Sequence, residues 1–377
     1  MSLGDQGSVT SEGVIRHMEA SRIRRERIGA HPARKPLLRS VLCLLLLAGC
    51  RRGIRPSSMP AAGDAWAGLP GDDRRRFGAG MPREAGAIGD YAVEQVRIGW
   101  VLDWWVDATP ATPPGVTYWQ MVRVSASGYA PDRSTIRAAA QANPGATWIL
   151  GNEPDVEVQD NVSPEVYAER YHELYALLKD ADPSCRVAVA GVAQPTPLRL
   201  DYLDRVLAAY LERHGKMMPV DVWTVHGFVL REERDSWGVG IPPGFDQDTG
   251  ALYELQDHDS VSLFSEQIRA FRAWMAERGY RHCPLALTEF GILMPEDYGF
   301  DEERVRAYMV AALDDLVTAR DPDVGCPEDD NRLVQAWAWY SLVDTTYPTG
   351  NLFDPQSKAL TALGQAYGGY EMAGGPN

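Results

Sequence analysis

The chain has 377 residues, with 37 Lys and Arg against 52 Asp and Glu, for a formal charge of −15 at pH 7. Residues 1–49 hold eight basic and four acidic side chains, so the remainder carries −19. A body that acidic is a poor partner for nucleic acid or anionic lipid headgroups and suits neutral substrates.

The first 35 residues are basic and irregular. Pro36 to Cys50 then reads as the apolar segment of a secretory signal, preceded by Arg34 and Lys35. It is too short for a comfortable membrane span. Leu47-Ala48-Gly49-Cys50 resembles a bacterial lipobox, which implies cleavage before Cys50, lipidation of its thiol and an exported protein held at the membrane or cell surface. Arg51 to about Asp90 is rich in Gly, Pro, Ala and Arg and reads as a flexible tether. The expected organisation is a leader and signal at 1–49, a tether at 50–90 and one catalytic domain at 91–377.

Within that domain, strand-like and helix-like runs alternate, the pattern of a parallel β/α fold. The predicted strands are Gln95–Leu102, Thr117–Val124, Ala146–Leu150, Arg186–Val192, Val220–Val229, Pro284–Ile292 and Leu333–Leu342. The predicted helices are Arg133–Ala142, Pro164–Lys179, Leu200–His214, Ser260–Arg278 and Asp301–Ala319. Ser163 and Pro164 suit the N-cap and first turn of the second helix. Seven strands are visible. An eighth is short or irregular, and is expected between Val101 and Thr117 or between Val124 and Ala146. The fold class is therefore α/β, a single (β/α)8 TIM barrel. An open doubly wound sheet is disfavoured because no Gly-rich phosphate turn follows the first strand.

Two segments carry the chemistry. Trp148-Ile-Leu-Gly-Asn-Glu-Pro-Asp155 and Leu285-Ala-Leu-Thr-Glu-Phe-Gly-Ile292 each run apolar into a glutamate and break at Pro or Gly. Strand exits are where a barrel aims acids into a pocket. Two carboxyl groups, one to protonate a leaving oxygen and one to attack an anomeric carbon, are the minimum for hydrolysing a glycosidic bond by double displacement. Strict alternation would send Asn152 and Glu153 to opposite faces, so the strand must bulge or end there, as Gly151 and Pro154 allow.

Asn152-Glu153-Pro154 and Thr288-Glu289-Phe290-Gly291 resemble the signatures of the retaining clan-A glycoside hydrolases. The match is closest to the short glucanase-like cores of family 128 and family 39 type, from about Gln95 to Tyr367. The resemblance implies Glu153 as acid/base, Glu289 as nucleophile and Asn152 as a partner of the sugar 2-hydroxyl. His226 resembles the histidine of the clan's His-x-Tyr strand, but Phe228 stands where the clan has a tyrosine that bonds the nucleophile.

Aromatic side chains near the strand exits are candidate sugar platforms, because the apolar face of a pyranose lies well on an indole. Trp337 and Trp339 share a face of the last strand with Gln335 and Ser341. Trp100, Asp103, Trp104 and Trp105 follow the first predicted strand, and Gln120 lies on the next. The Pro/Gly/Asp-rich stretch from Gly238 to Ser260 is expected to wall the cleft. No cofactor or metal is expected: no His/Cys cluster has zinc spacing, and Asp246 to Gly250 fails the EF-hand pattern. The function these residues support is a surface-anchored, monomeric, retaining glycoside hydrolase of a β-linked polysaccharide or oligosaccharide. A non-catalytic carbohydrate-binding barrel and a cell-surface interaction protein are the alternatives. After Cys50 three cysteines remain on the exported part. A Cys283–Cys326 disulfide with Cys185 free is one expectation, three unpaired thiols the other.

Overall fold

The computed structural model describes residues 65–371; the leader, the signal, Cys50 and the first part of the tether lie outside the described residues. The strands are β1 (Phe77–Gly80), β2 (Trp100–Leu102), β3 (Thr117–Tyr118), β4 (Gln120–Ser125), β5 (Gly128–Ala130), β6 (Thr147–Leu150), β7 (Arg186–Val189), β8 (Trp223–His226), β9 (Leu285–Phe290) and β10 (Ala336–Trp339). The helices are α1 (Arg133–Ala142), α2 (Pro164–Ala181), α3 (Pro197–His214), α4 (Val261–Glu277), α5 (Glu302–Thr318) and α6 (Ala362–Gly368). Short 3-10 turns, not α-helices, make the crossovers from β1 to β2.

All barrel pairings are parallel. β1 pairs with both β2 and β10, β10 with β9, and β9 with β8. β2 pairs with β3, β4 with β6, and β6 with β7. Trp119 alone separates β3 from β4, and its amide donates to Val101 O at 2.9 Å, so the two serve as one bent strand. A parallel bridge from Ala188 to Val222 joins β7 to β8 and completes an eight-membered ring. β5 is an antiparallel hairpin arm on β4, outside the ring.

Alternation along these strands separates two cores. Trp100, Leu102, Trp119, Met121, Ile149, Ala188, Ala286, Ala336 and Ala338 fill the barrel interior. Trp148, Val187, Trp223, Leu285, Leu287, Trp337 and Trp339 pack outward into the layer shared with the helices. Helix starts follow their sequence signals: Asp132, Ser260 and Asp301 each accept an amide of the first turn, and Pro164 and Pro197 open α2 and α3.

The missing eighth strand lies outside both expected gaps: it is β1, inside the stretch expected to be tether. Phe-Gly-Ala-Gly has no β-branched residue and no alternation to betray it. Its glycines are set by close approach: a Cβ on Gly78 would lie 2.3 Å from Trp100 Cε2, and one on Gly80 2.7 Å from Trp104 Cη2. Trp66 belongs to the same stretch. It packs in the interior core beside Trp119, with the Arg186 guanidinium 5.2 Å over its ring. Arg186 opens β7, so Trp66 closes the N-terminal end of the barrel. The folded domain thus includes residues from about 65, and the boundary expected at 91 is corrected.

The disulfide expectation is corrected as well, since Cys185, Cys283 and Cys326 are all free thiols. The Cys283 thiol faces Val220 O while that of Cys326 faces His282 O and Glu328, so neither is aimed at the other. No helix among the described residues is long and apolar enough to cross a membrane.

Candidate active site

β6 ends at Leu150, and the chain leaves it through Gly151 at φ +107° and Glu153 at φ +41°. Both angles lie in the left-handed region that an ordinary strand never visits. The turn lets Asn152 and Glu153 escape alternation, as the sequence required. It is held from one side by the Glu153 amide on Gly191 O at 3.1 Å. From the other, the buried Asp160 carboxylate accepts the amides of Asn152 and Val124 at 2.7 and 3.0 Å and Arg123 Nε at 2.6 Å.

Glu289 reaches the pocket by a different device. Leu285 and Leu287 face the helices, so strict alternation would send Glu289 outward with them. β9 carries an extra residue against both neighbours. Val225 and His226 pair with Leu287 and Glu289, and Trp337 and Trp339 pair with Leu287 and Phe290. This bulge turns Glu289 to the mouth.

His226 bridges the pair. Its Nδ1 lies 2.8 Å from Glu153 Oε1 and its Nε2 3.5 Å from Glu289 Oε1, with the ring buried. One ligand atom from each of the three residues lies within 4.8 Å of the others. The close seat of the ring depends on Gly191, where a Cβ would fall 2.6 Å from His226 Cδ2. Burial would depress the imidazole, but the Glu289 and Glu153 carboxylates reverse that and hold it at about 9. Burial pushes Glu289 up to about 7, and the Glu153 charge adds to this while His226 and Trp104 oppose it. The three donors are spaced as for a divalent cation. Both ring nitrogens are aimed at carboxylate oxygens, however, and a nitrogen that donates a proton has no lone pair left for a metal.

Of the other predicted residues, Asn152 and Trp104 join this group. Asn152 is buried, its Nδ2 meets Gln159 Oε1 at 3.3 Å, and its Oδ1 has no protein partner. Trp104 Nε1 donates to Glu289 Oε1 at 2.6 Å. Asp103 stands at the rim, bonded by Arg83 Nε at 2.7 Å and by the Tyr118 hydroxyl.

Four expected sugar contacts are corrected. Trp337 and Trp339 are fully buried among the helices, Trp339 with its Nε1 on Gly350 O at 2.7 Å. Trp100 lies in the barrel interior, stacked on Trp119 at 4.1 Å between ring centroids. Gln120 is buried, with both its polar ends bonded to the Asp107 backbone at 2.7 Å. For Trp337, Trp339 and Gln120 alternation gave the grouping of side chains but not which face looked inward; Trp100 does face inward, but packs in the interior core below the mouth. The stretch expected to wall the cleft packs at least in part on the helical layer, with Phe245 against Tyr202 and under the Arg205 guanidinium. The aromatic that the sequence reading missed is Tyr340. It follows Ala336 and Ala338 on the inward phase of β10, with its ring 5.8 Å from Trp104 and 6.2 Å from Phe228. Its signal was there in the two alanines, which mark the inward face by their small size.

No family model and no curated protein matches this sequence. Solved structures do share its fold. A subgroup II endo-β-1,3-glucanase of glycoside hydrolase family 128 from Sorangium cellulosum is 18% identical, with 80% of this chain and 100% of that one covered at a TM-score of 0.52. A subgroup III curdlan-specific exo-β-1,3-glucanase from Blastomyces gilchristii, in complex with glucose, is 18% identical with 83% and 100% covered and a TM-score of 0.52. A subgroup I endo-β-1,3-glucanase mutant from Amycolatopsis mediterranei, in complex with laminaritriose and laminaribiose, is 20% identical with 78% and 98% covered and a TM-score of 0.52. The chain therefore shares the barrel fold of these three structures. At its mouth it carries two buried carboxyl groups joined through an imidazole.

Proposed function

We propose that this protein is a retaining glycoside hydrolase of β-1,3-linked glucans. The observation that carries the reading is the meeting of Glu153 and Glu289 at two strand exits, with carboxylate oxygens within 4.8 Å. Double displacement needs carboxyl groups about 5–5.5 Å apart, whereas inversion needs about 6.5 Å or more to admit a water. The substrate class rests on the shared fold with three β-1,3-glucanases.

In this reading Glu153 protonates the leaving oxygen while Glu289 attacks the anomeric carbon. Glu153 then draws a proton from water to release the glycosyl-enzyme. The His226 imidazolium lies between the two carboxyls, so it can return a proton to Glu153 and favours the ionised form of Glu289. Asn152 Oδ1, buried and without a protein partner, accepts the 2-hydroxyl. We further propose that the domain is exported and anchored through lipidated Cys50, on the strength of Leu47-Ala48-Gly49-Cys50 after an apolar run.

The test is a panel of laminarin, curdlan, mixed-linkage glucan and cellulose, with wild type beside Glu289→Gln and Glu153→Gln. Cleavage of β-1,3-glucan that releases the β-anomer first, with Glu289→Gln inactive and Glu153→Gln still active on aryl glycosides with good leaving groups, is expected. An α-anomer released first, or binding without turnover on every glucan, overturns the reading. Mass spectrometry of the native protein should show an acylated Cys50 as its N-terminus, and an unmodified N-terminus upstream of Arg39 overturns the anchor.

A further inference from the structure

We propose that Trp104 is the residue that orients the Glu289 carboxylate, through its indole N–H. The inference rests on Glu289 being the nucleophile.

A nucleophilic carboxylate needs one oxygen held so that the other faces the anomeric carbon. Phe228 has no hydroxyl to do this. Tyr340 has one, but it donates to Asp344 Oδ2 at 2.6 Å. His226 Nε2 stands off at 3.5 Å and shares its ring with Glu153. Trp104 Nε1 donates to Glu289 Oε1 at 2.6 Å, a short hydrogen bond of the charge-assisted kind.

The surrounding structure is built to aim this ring. Trp104 has φ +63°, a conformation that bulky side chains rarely adopt and that persists only where neighbours impose it. Those neighbours are on both sides. The ring lies on Gly80, where a Cβ would fall 2.7 Å from its Cη2, and it meets Tyr340 at 5.8 Å. The preceding residue, Asp103, is tied by Arg83, by the Tyr118 hydroxyl and by the Trp105 amide at 3.1 Å. The backbone strain, the glycine seat and the anchored Asp103 converge on one product, the direction of the N–H.

The test compares wild type with Trp104→Phe and with a variant carrying 3-benzothienylalanine at position 104, an indole isostere that lacks the N–H. The probe is a 2,4-dinitrophenyl 2-deoxy-2-fluoro-β-laminaribioside. The readouts are the rate of labelling, the labelled peptide, and the acid limb of the labelling rate against pH. Removing a hydrogen bond to the ionised form raises the pKa of Glu289. Both variants should therefore label about ten- to a hundredfold more slowly, with the acid limb moved to higher pH and the melting temperature of the isostere unchanged. Labelling of both variants at the wild-type rate overturns the proposal while leaving Glu289 as nucleophile. So does a slow Trp104→Phe beside an isostere of normal rate and pH profile, which would assign the effect to packing. A wild type that takes no label on Glu289 removes the catalytic reading itself, and the proposal with it.

Discussion

At the scale of single residues, the site depends on how closely three side chains approach. Gly191 is where that approach is set. Gly191→Ala would drive a methyl group into the His226 ring and move it off both carboxylates. The expected cost is about 1–3 kcal/mol in stability. Activity should fall by about a hundredfold or more, measured as kcat/KM on an aryl laminari-oligosaccharide beside a thermal melt. His226 acts on the charge of Glu289. Its cation opposes the burial that lifts Glu289 to about 7, so His226→Gln should shift the acid limb of kcat/KM to higher pH. A limb that stays in place would show that the imidazole does not govern the nucleophile.

At the scale of elements, β1 decides the domain boundary. It fills the place between β2 and β10, and Arg76 just before it forms a buried pair with Asp329 at 2.6 Å. Removing residues 1–64 should leave a cooperative unfolding transition, whereas removing residues 1–90 deletes β1, Trp66 and Arg76 and should give no native transition by circular dichroism. Breaking the Arg76–Asp329 pair alone is expected to cost about 3–5 kcal/mol, because it strands a buried carboxylate. The helices were legible because α1 to α5 announce themselves by caps and apolar periodicity, and each is found within about three residues of its predicted bounds. β1 was illegible because four small or glycine-spaced residues carry no period. The bulge in β9 was illegible for a related reason: Leu-Ala-Leu-Thr-Glu-Phe reads as regular alternation, and only pairing with β8 and β10 exposes the extra residue.

At the scale of the whole molecule, the buried triad couples stability to pH. Glu289 is raised from 4.5 to about 7 in the folded protein, so the native state binds the extra proton and stability falls as pH rises across that window. His226 is raised from 6.5 to about 9, and its contribution, complete below 6.5, is lost as pH rises through 9. Both slopes have the same sign. The melting temperature should therefore fall from pH 4.5 towards pH 9. Glu289→Gln should flatten the curve and exceed wild type at pH 8, a gain in stability obtained by deleting the proposed nucleophile. A wild-type melting temperature that rises across this range would contradict the protonation scheme.

By itself the sequence determined the parallel β/α order, five helices, and the segments that bring Asn152, Glu153, His226 and Glu289 to the strand exits. Those properties are local: a strand exit, a cap and a Pro or Gly break are written within a few neighbouring residues. Only the tertiary structure decided which face of each strand looked inward. It sent Trp337, Trp339 and Gln120 outward, kept Trp100 inside the barrel below the pocket, and brought Tyr340 beside Trp104. It also turned Glu289 inward through a bulge and drew a supposed tether into the barrel as β1. Facing and register are fixed by pairing between strands far apart in the chain, and a single strand's alternation is unchanged when its two faces are exchanged.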